Sequence, residues 1–473
     1  MKSLLCVVLS WLITTSFSWF ASDDPRTLQV NPYVQYQTFE GFGTSSCWWA
    51  QTIDSDEEAK EIARLLYDDE TGLGLDIFRY NIGGGEADNP ATRIWDRTRR
   101  TESFYVYDAE TGAGAYDFTR DANARRVLDY AVEYGAKEVI LFCNSPHYSM
   151  TVSGQASGGL TPGASNLPPE NYGAFVDYVL TIADWFVAQG YPVTAISPIN
   201  EPQWDWGGDW VGQEGCHYSP EETVTVLELF ATEMQRRGSP YALRGPESGQ
   251  LTWHYYDYID KFFESEILSG FCDTYSAHSY WMDGDYAGKQ NFAWKMETDF
   301  PGKKFEMSEW CELPMRLDSR TIDSGLYMAN ILVQDLTVMN AVSWQSWTAV
   351  NGDGVLDRVN GELVQYRRYD VYKQFSAFIQ PGMQRVQVLD TAPYAWDETD
   401  RPLVYAAFSG GGKTVLIVVN NSEEAQPLRL RGVYARMQTV LTDETHHCEP
   451  VYHGLFRANQ TLPARSVTTF VLR

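Results

Sequence analysis

The stretch "TAISPINEP", residues 194–202, starts as a β-rich run and ends in a polar tripeptide closed by proline. Its neighbours decide how it reads. Comparable runs lie at 38–43, 75–81, 138–144, 241–246, 274–280, 304–308 and 341–347, and 194–200 is the fourth of eight. Each is followed by a loop and a helical pattern, the signature of stacked βα units around a parallel sheet. Within 171–190, Tyr172, Phe175, Val176, Val179, Ile182, Ala183 and Phe186 fall on one helical face and Gly190 closes the segment. "SPEE" at 219–222 supplies a cap, a first-turn proline and acidic residues at the positive end of the next helix. Eight such repeats predict an α/β fold, a closed (β/α)8 TIM barrel over residues 38–379.

Beyond residue 380 the texture changes. "PLVYAAFS", "KTVLIVVNN", "PLRLRGV", "MQTVLTD" and "SVTTFVLR" are short strand patterns separated by Gly, Asn, Ser and Pro, with no long helical period. They predict an attached C-terminal β-sandwich. Residues 27–37 are also extended, so the side domain is expected to comprise 27–37 plus 380–473.

Composition narrows the functional class. The 473 residues are 44% hydrophobic and 21% charged, as in globular proteins, and the net charge is 36 − 63 = −27. Such a balance repels nucleic acid and anionic membranes, and points to a neutral partner. The basic runs Arg97 to Arg100 and Arg367-Arg368 read as solvated faces. A charged start and a short apolar run to about Phe20 predict a signal peptide over residues 1–18, with Ser16 and Ser18 at the cleavage-site positions. The protein is therefore expected to be secreted or periplasmic. No later apolar run reaches membrane length, so no membrane insertion is expected. Cys47, Cys143, Cys216, Cys272, Cys311 and Cys448 then remain. They allow fifteen pairings, and buried free thiols fit as well as disulfides. Oligomeric state is not legible.

Barrel active sites lie at the C-terminal strand ends. Strand four ends at Asn200-Glu201-Pro202 and strand seven, "KKFEMSEW", at Ser308-Glu309-Trp310. These strands face each other across the barrel mouth, where two carboxylates roughly 5 to 5.5 Å apart perform retaining glycoside hydrolysis. One attacks the anomeric carbon. The other protonates the leaving oxygen and then deprotonates water. Sugar rings also need aromatic platforms, and Trp48, Trp49, Trp204, Trp206, Trp210, Trp281 and Trp310 closely follow predicted strand ends, whereas Trp185 lies within a helix and reads as core. The adjacent Trp48 and Trp49 in "GTSSCWWAQ" diverge in direction, so one is expected to meet sugar and the other to pack beneath.

With these residues in view, the chain resembles glycoside hydrolase family 30 over nearly all of its length after the leader. The resemblance is carried by "FEGFGTS", "FRYNIGGG", "NSPHYSM", "SPINEP", "YSAHSYW", "EMSEW", "SWQSW", "FSAFIQPG" and "SVTTFVLR". It implies a barrel with an attached β-sandwich, Glu201 as acid/base and Glu309 as nucleophile; separately, no cofactor or metal is expected. It further implies that Asn200 holds a sugar hydroxyl and that Arg79 hydrogen-bonds Glu309 and keeps it ionised. His278 and Tyr280 would orient the nucleophile and contact sugar, and Trp347 would lie beneath the bound ring. Asn144 belongs to the strand-three motif, which here departs from the family pattern: Asn144-Ser145-Pro146 is followed by His147 where a second proline is usual. His147 either contacts substrate or reshapes that loop. Glu247 in "RGPESG" is a supporting carboxylate. Within the family, "GTSSCWWAQ", "RYNIGGGE" and "GQEGCHYS" look most like the endo-β-1,6-galactanase branch, ahead of β-1,6-glucanase and xylanase. A non-catalytic carbohydrate-binding protein would lack one of the two glutamates, and both are present. A metal reading of "HHCEPVYH", with His446, His447, Cys448 and His453, lies far in sequence from the barrel motifs.

Overall fold

The computed structural model describes residues 25–208, 211–393 and 401–473. The expected signal peptide and Trp210 lie outside these residues.

The barrel strands are Gly41–Ser45, Ile77–Asn81, Glu138–Phe142, Val193–Ser197, a fifth in two pieces, Ala242–Leu243 and Pro246–Ser248, then Thr274–His278, Lys304–Trp310 and Ser343–Ser346. All neighbouring pairs are parallel. The first piece of strand five pairs with strand four and the second with strand six, which completes the ring. Each strand is followed by a helix, among them Tyr172–Ala188 and Pro220–Arg237. The second shows why "SPEE" starts a helix: the Ser219 hydroxyl accepts from the Glu222 amide while the Glu222 carboxylate accepts from the Ser219 amide.

Strand alternation sorts the side chains. Ile77, Ile140 and Ala195 meet inside the barrel, while Phe78, Tyr80, Val139, Leu141 and Ile196 pack outward against the helices. Counting on from Ile77, Arg79 must also point inward, and it is fully buried.

The C-terminal strands form one nine-stranded sheet, mostly antiparallel, that includes Arg26–Thr38 from the start of the described chain. That strand pairs antiparallel with Gln384–Asp390 and parallel with Gln426–Arg431. The sheet folds over as a sandwich, because Leu428 and Leu462 from one end share a core with Met437 and Phe470 from the other. Strand Lys413–Asn420 is buried on both faces: Val415, Ile417 and Val419 face the barrel helices, and Leu416 and Val418 face the sandwich core. This explains its unbroken apolar run. Helices Ile322–Thr337 and Arg367–Ser376 form the seam, where Gln374 Nε2 donates to Thr442 Oγ1 at 2.9 Å and Thr469 Oγ1 donates to the Gln374 carbonyl at 3.0 Å.

No helix among the described residues is long and apolar enough to cross a membrane. Cys47, Cys143, Cys216, Cys272 and Cys311 are buried free thiols and Cys448 is a half-buried one. Burial pushes the Cys216 thiol up to about 11 and the Cys448 thiol to about 12, so both are protonated and inert at neutral pH.

Candidate active site

Strict alternation along strand seven would turn Glu309 away from the barrel mouth, because Glu306 already points inward to accept from Ser276, Ser343 and Gln345. A bulge corrects this. Ala277 pairs with Met307 but His278 pairs with Glu309, so Ser308 is the extra residue, and the strand also shifts register against strand eight. Ser308 and Glu309 consequently both face inward, the first bonding Glu247 and the second Arg79.

Glu201 reaches the same point from the loop after strand four. Its backbone is left-handed (φ 47°), as is that of Glu247 (φ 59°), and the Glu201 amide donates to the Glu247 carbonyl at 2.9 Å. Holding two non-glycine residues there costs about 1–2 kcal/mol each, which the surrounding contacts offset. Trp206 Nε1 donates to the Glu201 carbonyl at 2.9 Å. Gly249 leaves room nearby: a Cβ at that position would sit 2.5 Å from Glu201 Oε1 and 2.6 Å from Trp204 Nε1 and would displace them.

One oxygen of Glu201, one oxygen of Glu309 and a ring nitrogen of His278 lie within 4.8 Å of one another. Arg79 Nη1 donates to Glu309 Oε2 at 2.5 Å, and Tyr280 OH donates to Glu309 Oε1 at 2.9 Å. Arg79 Nη2 donates to Asn200 Oδ1 at 3.1 Å, and Asn200 Nδ2 donates to Asn144 Oδ1 at 3.1 Å. His278 Nδ1 is 3.2 Å from Glu201 and 3.5 Å from Glu309, while its Nε2 is 3.3 Å from Glu247.

The charges explain one another. Burial alone would neutralise His278, but Glu309, Glu201 and Glu247 surround it and raise it to about 9, so it is a cation at neutral pH. Burial would likewise raise Glu247, yet Arg79, His278 and Ser197 hold it at about 2. Glu309 stays above the usual carboxylate range because burial outweighs the opposing pull of His278 and Arg79. Arg79 is thus a counterweight and does not by itself fix the ionisation of Glu309. With Arg79 and His278 already supplying positive charge beside Glu309, the trio of Glu201, His278 and Glu309 is poorly suited to a metal cation.

Above the carboxylates opens a cleft of about 430 Å³ whose walls include Trp48, Trp204, Trp206, Trp281 and Trp347. Trp48 stands edge-on to Trp347 at 5.1 Å, and among the described residues its buried Nε1 has no protein acceptor. Trp49 instead packs in the core and donates its Nε1 to the Ser45 carbonyl at 2.9 Å.

Several expected residues sit elsewhere. His147 does not reach the cleft; it lies buried among Tyr105, Tyr148 and Tyr178, bonds Ser149 at 2.8 Å, and is pushed down to about 4 by burial. The substrate-contact reading of His147 is therefore replaced by the loop-shaping one. Asn144 stands behind Asn200, bonded to Asn81 and Asn200, and positions it. Trp310 is core, its Nε1 bonded to Asp283 at 3.0 Å, because the bulge turns it outward to the helices. Trp185 is half-buried and stacks on Phe118. Conversely Arg99, read as part of a solvated basic run, enters the cleft wall with its guanidinium 4.8 Å over Trp48. His447 bonds Asp370 and His446 bonds Asp443, so the side chains of "HHCEPVYH" pair off separately.

A family model described as O-glycosyl hydrolase family 30 matches residues 25–358. The chain belongs to glycoside hydrolase family 30. It is 25% identical over 448 residues to an endo-β-1,6-galactanase of Hypocrea rufa, covering 89% of this chain and 86% of that one. A conserved exported protein of Bacteroides fragilis superposes with a TM-score of 0.86 at 24% identity, covering 94% of this chain and all of that one. The catalytic domain of family 30 xylanase C from Talaromyces cellulolyticus superposes at 0.72 with 16% identity, again covering 94% and 100%. The chain is a glycoside hydrolase, and its partner is a polysaccharide substrate.

Proposed function

We propose that this chain is an exported, retaining endo-β-1,6-galactanase, with residues 38–379 as its catalytic barrel and 27–37 plus 380–473 as its side domain. The observation that carries this reading is the approach of Glu201 and Glu309 to within 4.8 Å, oxygen to oxygen, at the floor of a tryptophan-lined cleft. A shared nucleophile and acid/base need about 5 to 5.5 Å, whereas inversion needs about 6.5 to 9.5 Å to admit a water between the groups.

In the first step a Glu309 oxygen forms a bond to the anomeric carbon as the glycosidic bond breaks, and Glu201 gives its proton to the departing oxygen. The glycosyl ester is then attacked by water, whose proton returns to Glu201, and the Glu309 carboxylate is released with the β-configuration restored. Arg79 and Tyr280 occupy both Glu309 oxygens with donors that favour the leaving carboxylate. His278, cationic between the carboxylates, holds Glu201 and Glu309 in register. Asn200 takes a sugar hydroxyl, and Trp48 and Trp347 form the platform, with the free Trp48 Nε1 as a further donor.

The β-1,6-galactan substrate is supported by the similarity to the Hypocrea rufa galactanase across most of both chains, and a neutral glycan suits a chain of net charge −27. Digesting β-1,6-galactan, β-1,6-glucan and xylan side by side tests it. Oligomers from galactan, released first as the β-anomer by NMR, are expected. Products from xylan or glucan alone would move the substrate, and an α-anomer would overturn retention.

A further inference from the structure

A second groove of about 420 Å³, which shares no lining residue with the cleft over the carboxylates, is lined by both Trp253 and Trp294. Trp253 lies on the turn after strand five and is 72% exposed; Trp294 lies on helix Tyr286–Asp299 after strand six and is 64% exposed. Packing does not account for Trp294, because that helix buries Lys289, Phe292 and Met296 and turns the indole to solvent. The Trp253 ring is braced by His254, stacked at 3.6 Å. Single exposed tryptophans are ordinary, but two lining one groove form a recognition surface. The groove also carries Asp285, Asn291 and Asp299, acceptors and donors suited to hydroxyl groups. Two indoles for C–H faces in one groove with carboxylates, an amide and the Lys295 ammonium for hydroxyls match a sugar chain better than an apolar protein segment.

The groove is connected to the cleft. Trp204, in the cleft wall, packs edge-on against Trp281 at 5.2 Å and against Tyr255 at 5.6 Å, and Tyr255 belongs to the same turn as Trp253. An aromatic rail therefore leads from the strand-four side of the cleft over the rim to the groove. We propose that this groove is a second polysaccharide-binding site, which holds a distal portion of the same neutral glycan chain. The identity of the sugar rests on the functional reading above; the existence of the site does not.

Affinity electrophoresis of the full chain through gels containing β-1,6-galactan, β-1,6-glucan or xylan tests the proposal. Proteins carrying Glu309→Gln, with and without Trp253→Ala and Trp294→Ala, are compared so that the polymer stays intact. Loss of both indoles is expected to weaken apparent affinity for galactan about ten-fold. In the Glu309-bearing protein, β-1,6-galactotriose turnover by the double variant reports whether the cleft remains folded. A ten-fold loss on glucan or xylan in place of galactan would support the site and overturn the galactan assignment. Equal retardation with and without the indoles, on all three polymers, would overturn the site.

Discussion

The barrel mouth and the C-terminal sheet are built on opposite terms. At the mouth, Glu201, Glu247 and Glu309 are all buried and joined through contacts with Arg79 and His278, two of the five on left-handed backbone. The sheet core is Leu28, Val386, Leu416, Leu428, Phe470 and their apolar neighbours; the charges its strands bury are paired or hydrogen-bonded singly, Arg26 with Asp390 and Arg385 with Gln37 and Asn340. Buried charge and backbone strain destabilise a fold, so their concentration in one place marks where function is carried. The sheet, by contrast, gains stability chiefly from buried apolar area. Variants should therefore divide into those that stop the reaction in a folded protein and those that unfold a competent one.

The largest effects should come from the carboxylates. Glu309→Gln is expected to lower kcat on β-1,6-galactan by about 10³-fold or more, and Glu201→Gln by about 10²–10⁴-fold, with circular dichroism spectra unchanged. Wild-type rates in either variant would break the contrast. The mirror experiment is Phe470→Ala in the sheet core, where Phe470 is 1% exposed. It should cost about 3–5 kcal/mol in denaturant titration yet leave kcat per folded molecule at the wild-type value.

A smaller effect should follow from Gly249→Ala. The added methyl group would meet Glu201 Oε1 at 2.5 Å and must displace that carboxyl. A shift of this order is expected to reduce kcat about 10²-fold with little change in Tm. Glutamate activity retained in full would show that the carboxyl has room to spare. The pH response sharpens the comparison further. His278 is raised from 6.5 to about 9 by the three glutamates around it. A raised cationic group stabilises the fold fully below about pH 6.5, and that stabilisation is lost as pH rises through 9. Tm should therefore fall across this window, and His278→Gln should flatten the limb. Glu247 acts in the opposite direction: held at about 2, it stabilises above its ordinary range near 4.5 and loses the effect as pH falls toward 2.

How much of this was legible depended on periodicity. All eight barrel strands and the switch to β-structure near residue 380 were readable, because alternation and helical spacing persist over many residues. "KTVLIVVNN" was readable as a strand for the same reason, although its burial on both faces needed the seam helices to be in place. Glu201 and Glu309 were located by strand ends, but the Ser308 bulge that aims Glu309 inward has no local sequence signal and is visible only in the pairing with strand six. The same bulge defeated the reading of Trp310 as a rim residue, since it swings that indole into the core. His147 stayed open between substrate contact and loop shaping because sequence shows a polar ring beside a motif, not the three tyrosines that enclose it. The role of Gly249 was hidden as well: a glycine that makes room for a carboxyl from another strand looks like any turn glycine.

Arg99 yields the smallest expected effect and the most specific one. Runs of arginine are ordinarily solvated, and Arg97 and Arg100 line a different groove from the cleft walled by Trp48, Trp204 and Trp347. Arg99 differs because the Asp96 side chain caps the short turn Arg97–Arg99 and brings its guanidinium over the Trp48 ring at 4.8 Å. A solvent-exposed cation such as Arg99 over an indole contributes about 0.5–1 kcal/mol, which corresponds to a two- to five-fold change in an equilibrium constant. Arg99→Ala is accordingly expected to raise KM for β-1,6-galactan two- to five-fold while kcat holds, since the guanidinium touches neither Glu201 nor Glu309. Arg99→Lys should recover part of the loss, because an ammonium keeps the charge without the planar stacking surface. A fall in kcat at constant KM would instead assign Arg99 to the carboxylate floor, and would move the boundary between the two regions outward by one shell of side chains.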